Sequence, residues 1–83
     1  MIEVTEAVKL ARQFFNDIYQ DEEINNLKLE EVVFDDDNNQ WRITLGYDSH
    51  ASKEIRKISR VYKVFHIDAE NGDFKGMFIR IVG

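Results

Sequence analysis

The chain contains no cysteine and no proline, only four glycines and two histidines, and no uninterrupted apolar run longer than three residues. Without cysteine there is no disulfide framework, no thiolate metal site and no cysteine nucleophile, and the composition is compatible with a reducing cytoplasm. Apolar triplets such as Val32-Val33-Phe34 and Met77-Phe78-Ile79 fall far short of the roughly 20 residues that cross a bilayer or the roughly 7 to 15 of a signal peptide. The expectation is therefore a soluble, cytoplasmic, non-exported chain with no membrane partner. With no proline, repeat or low-complexity tract there is no linker, and 83 residues hold one core, so 1–83 is a single domain. Gly46, Gly72, Gly76 and Gly83 do not make a phosphate-cradling loop, and nucleotide binding has no support.

Charge is plentiful but uneven. Sixteen acids against eleven bases give a net charge of −5. Residues 1–39 hold eleven acids and three bases, whereas 40–83 hold five acids and eight bases, five of them at Lys53, Arg56, Lys57, Arg60 and Lys63. A nucleic-acid binder needs its cations on one face without a comparable acidic surface beside them, so nucleic acid is disfavoured. The basic stretch, with Tyr62 and Phe65 nearby, could meet an acidic partner, or be neutralised by the chain's own acidic half or across a symmetric dimer.

Hydrophobic period sorts the elements. Thr5 reads as the N-cap of a helix with Glu6 in its first turn. Ala7, Leu10 or Ala11, Phe14 and Ile18, with Val8, Phe15 and Tyr19, form its apolar stripe, and Gln20-Asp21-Glu22-Glu23 followed by Asn25-Asn26 ends it. From Leu27 the period becomes two, and strands are expected at 27–35, 40–48, 60–68 and 74–82. Asp35 to Asn39 makes the first turn. Asn71-Gly72, in the turn Asp68 to Asp73, suits a type I′ turn or a G1 bulge. Ser49 to Ser59 is long for a connection without structure of its own, and Ile55 and Ile58 could anchor a helical turn there. The expected core joins Phe14, Ile18, Leu45, Phe65 and Ile79.

No catalytic or metal-binding pattern emerges. Asp35-Asp36-Asp37-Asn38-Asn39 lacks the alternating acids, the glycine at six and the glutamate at twelve of a calcium loop, and reads as a solvated turn whose side chains cap backbone groups. His50 and His66 are too few for a histidine site. Asp48, Ser49 and His50 include the residue types of a nucleophilic triad but are consecutive in the chain, which denies them the geometry. Each plausible pair of carboxylates sits in a turn or on a polar helix face, with no apolar wall to raise a pKa. The reading is a non-enzyme with no cofactor and no metal.

Helix first, then an antiparallel four-stranded meander with the helix across one face, is an α+β fold. The helix from Glu6-Ala7-Val8 to Phe15, the strand Gln40-Trp41-Arg42-Ile43-Thr44-Leu45 and the stretch from Tyr62 through Asp68-Ala69-Glu70-Asn71-Gly72 to Phe74 resemble a PepSY-like domain of the cystatin-like group. The last stretch is similar to that family's aromatic strand and Val-Asp-Ala-x-x-Gly hairpin. The resemblance implies a non-catalytic module that binds or inhibits a partner protein, and it transfers no catalytic residue.

The last two strands carry apolar residues on both faces. Val61, Phe65 and Ile67 alternate with Tyr62 and Val64, and Met77, Ile79 and Ile81 alternate with Phe74, Phe78 and Val82. One helix covers one face, which leaves Tyr62, Val64 and Phe78, with Trp41 or Tyr47, on the other unless the stems of Arg42, Lys63 and Arg80 cover them. The expected partner-binding residues are Tyr62, Val64, His66 and Phe78, with Arg56 and Lys57 from the 48–60 loop. The functional expectation is a protein-binding or inhibitory module, in its sharper form one that neutralises a basic partner. The rival reading is a small structural or ligand-binding homodimer that uses the same face.

Overall fold

A computed structural model describes residues 1–49 and 59–81. One helix, α1 (Val4–Ile18), precedes β1 (Asn25–Asp35), β2 (Gln40–Ser49), β3 (Ser59–Asp68) and β4 (Phe74–Arg80). The strands form one antiparallel sheet in the order β1-β2-β3-β4, with α1 across one face, so the expected α+β meander is the observed fold.

The helix starts one residue before Thr5. Glu3 occupies the N-cap position without a side-chain cap, and the Ala7 N–H donates to the Glu3 carbonyl at 3.0 Å. The preceding segment is fixed by the Ile2 N–H, which donates to the Ala69 carbonyl in the β3–β4 turn at 2.7 Å, so tertiary anchoring sets the start where local capping was expected. Ala7, Ala11 and Phe15 make the buried line of α1. The two alanines permit close approach to β2 and β3, and Phe15 fills the space beyond them against Tyr47 and Phe65, with ring centroids 5.3 and 6.3 Å away. Ile43, Leu45, Phe65 and Ile67 lie wholly buried beneath them.

Three features of the expected core and faces are corrected. Ile18 is 47% exposed, because it is the last helical residue and Tyr19 fills the space over Tyr47 and Met77. Ile79 lies on the helix face in register with Lys63, yet it is 70% exposed because α1 sits over β2 and β3 and does not reach that end of β4. Phe14 is half-buried and packs on Phe74 at 5.2 Å. Phe74 belongs to the helix face, opposite to Phe78. A bulge between the His66 and Ile67 pairings inserts Lys75 into β4 and reverses the alternation there.

The turns follow their side chains. Asp35 accepts the Asp37 and Asn38 N–H groups, and Asp68 accepts those of Glu70 and Asn71. In the β3–β4 turn Gly72 alone takes a left-handed conformation, φ 81°, so the type I′ alternative, which needs two such residues, is not formed. A Cβ on Gly72 would lie 2.8 Å from Leu10 Cδ1, which places this turn directly against the helix.

Candidate functional site: the open sheet face

The face turned away from α1 is built by strand alternation. On β3, Tyr62, Val64 and His66 point to it, paired with Gly46, Thr44 and Arg42 of β2. On β4, Phe78 stands opposite Val64 and Arg80 opposite Tyr62. Four of the expected partner-binding residues, Tyr62, Val64, His66 and Phe78, are thus brought together. Arg56 and Lys57, with Lys53, Ile55, Ile58 and His50, lie outside the described residues, as does most of the 48–60 loop. Trp41 and Tyr47 are on the helix face. The Trp41 Nε1–H donates to the Ile2 carbonyl at 3.2 Å, and Tyr47 is buried in the core, where desolvation pushes its hydroxyl up to about 12.

Phe78, 53% exposed, folds back over Gly76. Its ring atoms come within 2.9 Å of the point where a Cβ on Gly76 would stand, so the missing side chain provides the seat for the aromatic. From there Phe78 meets the His66 ring at 4.7 Å between centroids. His66 is held below its ordinary titration range first by desolvation and then by the Arg42 charge, with Asp35 opposing.

The charged residues of this face pair across it. Arg80 Nη1 on β4 reaches Glu31 Oε1 on β1 at 2.6 Å, spanning the two central strands. Thr44 beneath the bridge is only 2% exposed although it faces away from the helix. On either side lies a shallow depression: one of about 240 Å³ lined by Val33, Arg42 and Val64, the other of about 190 Å³ lined by Glu30 and Tyr62, with Glu31, Thr44 and Arg80 common to both. Arg60 binds Glu30 at 2.7 Å and Asp48 at 3.1 Å, and these carboxylates hold its guanidinium further above its ordinary range. Arg42 Nε is buried in the face with Asp35 Oδ2 at 4.0 Å and makes no hydrogen bond among the described residues.

Arg42 and Arg80 therefore partly cover the face, as their long stems allow, whereas Lys63 does not, since it pairs with Leu45 and Ile79 on the helix side. The basic stretch divides in the same way: Arg60 is neutralised by acids of the chain, Phe65 is core and Lys63 points to the other face. The bridging acids Glu30 and Glu31 lie outside the set of expected site residues. A bulge between Leu29 and Glu31 turns both toward this face, and consecutive acids in an otherwise alternating strand were the available signal.

Among the described residues no three His, Cys, Asp or Glu side chains gather to hold a metal ion, and no helix is long and apolar enough to cross a membrane. Asp35 spends its carboxylate on the turn, where the Asn38 side chain, then its backbone, with Arg42 and Asp37 adding, hold it below its ordinary range against desolvation. Compared with known proteins, the chain matches no family model, no curated protein and no solved structure.

Proposed function

We propose that the protein is a non-enzymatic, cytoplasmic protein-binding or inhibitory module that engages its partner through the open sheet face around Tyr62, Val64, His66 and Phe78 and through the 48–60 loop. The observation that carries this reading is the exposure of Phe78 beside His66 and Val64 on a face that α1 leaves uncovered. Aromatic anchors rimmed by arginine are the composition of an interface centre. The helix-and-sheet order is also what the PepSY-like resemblance implies for a binding module.

In the sharper form the partner is basic. On the open face Arg60 is matched by Glu30 and Asp48, Arg80 by Glu31, and Arg42 lies beside Asp35, so attraction comes from the acids elsewhere, Glu3, Glu6, Asp17 and the cluster Asp21 to Glu23, through long-range steering. The experiment is affinity capture with wild type and a Tyr62→Asp/Phe78→Asp variant, followed by titration of the purified partner. Loss of more than about 2 kcal/mol of binding with the fold retained supports the reading. A partner bound equally by both proteins removes the open face from its interface. An association rate that does not change with salt removes the steering.

A further inference from the structure

The most exposed apolar side chains of the sheet lie along one edge, while β1 on the other edge exposes Leu29 and Val33 to a lesser degree, 40 and 37%. Phe74, Phe78, Ile79 and Ile81, 43, 53, 70 and 92% exposed, all belong to β4 or the residue after it. Edge strands of soluble proteins are normally shielded by charge or irregular pairing. The opposite edge, β1, has both: two irregularities in its pairing, and Lys28, Glu30 and Glu31 along it. From Met77 to Arg80, β4 pairs regularly with β3, and its one charge there, Arg80, is drawn inward over the open face to Glu31.

The exposed groups lie on both sides of that strand. Phe78 is on the open face, whereas Ile79 shares the helix face with Met77. A partner laid on either face covers one set only. A strand added at the edge covers both, and it also satisfies the outward backbone groups of β4.

We propose that this added strand is β4 of a second copy of the chain, paired antiparallel about a two-fold axis normal to the sheet at Phe78. Such an axis keeps residues of one face together, so Met77 stands opposite Ile79 of the other copy, Phe78 beside its own equivalent and Gly76 opposite Arg80. Apolar groups meet apolar groups, and no like charges face one another. The two cations of the strand are each paired within their own chain, Lys75 with Asp68 at 3.8 Å and Arg80 with Glu31, so like charge at the seam does not oppose association. The result is a continuous eight-stranded sheet with both helices on one side and an isologous interface. It rests on the edge of β4; Phe78 belongs to both this edge and the open face, whereas Ile79 belongs to the edge alone and Tyr62, one strand inside it, to the open face alone.

Sedimentation equilibrium of the full chain from about 1 μM to about 1 mM, the range in which weak dimers form, tests it alongside hydrogen exchange of the β4 amides. Wild type is expected to dimerise, with the outward β4 amides slowing as concentration rises. Ile79→Lys is expected to weaken the dimer at least about 30-fold with an unchanged far-UV spectrum, because that side chain is outside the monomer core and counts twice in a symmetric interface. Tyr62→Asp should leave the dimer intact. Wild type that stays monomeric overturns the proposal, as does a dimer in which β4 exchange is independent of concentration. A dimer dissolved by Tyr62→Asp but not by Ile79→Lys overturns it too, while leaving the open face as the contact surface.

Discussion

Replacing Phe65 by alanine tests which side of the sheet is core, because the same strand pair offers its own control. Phe65 is fully buried on β3, in register with Ile43 and Met77, with the Phe15 and Phe74 rings both 6.3 Å away. Removing a ring from such a site forfeits its transfer free energy and leaves a cavity the sheet cannot close, about 3 to 5 kcal/mol. A domain of 83 residues has a total stability of about 4 to 12 kcal/mol. Phe65→Ala should therefore lower the melting temperature by at least about 12 °C, or leave the chain largely unfolded at 37 °C. Ile79→Ala, on the same face but 70% exposed, should change stability by less than about 0.5 kcal/mol. Urea unfolding at low protein concentration, with m-values compared to confirm that the unfolded surface is unchanged, measures both. Equal losses for the two variants would refute the placement of α1 over β2 and β3.

Gly72→Ala and Gly72→Asn should both destabilise by about 2 to 4 kcal/mol, since the left-handed backbone and the Leu10 contact act together, and a well-tolerated Asn would show by urea unfolding that only the dihedral matters. His66 has its folded pKa lowered below 6.5, so the unfolded chain binds its proton more tightly. Its contribution to stability is therefore complete above pH 6.5 and is lost as pH falls through that value toward the folded pKa. His66→Gln should flatten the melting-temperature profile there and leave the drop below pH 3.8 from Asp35, whose pKa is lowered, unchanged. In an ultraviolet titration, one tyrosine, assigned to Tyr47 by its loss in Tyr47→Phe, should ionise only near pH 12; ionisation of Tyr47 near 10 would remove the desolvation argument.

How far this architecture was legible depends on whether its cause is local. The change of period at Leu27, the alternation of Trp41, Ile43, Leu45 and Tyr47 with Arg42 and Thr44, and the Asn71-Gly72 turn are local patterns, and they placed all four strands to within about two residues. The gathering of Tyr62, Val64 and His66 on one face follows from the same alternation, and Phe78 joins them across the pairing. Phe74 was misplaced because one inserted residue reverses every side chain beyond it, and Gly76 inside the strand was the sign of that bulge. Ile79 was misplaced because the face is periodic but burial is not: how far α1 extends over the sheet depends on Ala7 and Ala11 seating it over the central strands. The Arg80–Glu31 bridge joins residues 49 positions apart, and only the assembled order of strands brings them together. The helix start moved to Val4 because Ile2 is tied to Ala69, a contact that no capping rule contains.

The central claim, that the open face is a protein-contact surface, is tested most directly by photo-crosslinking in the native cell with benzoylphenylalanine at position 62 or, as control, at the exposed Lys9 on the far side of α1. The aromatic replacement preserves the character of Tyr62 while reporting what lies against it. The account predicts a discrete protein adduct from position 62 that is absent from position 9. No adduct at 62, or the same set of adducts from both positions, would contradict it.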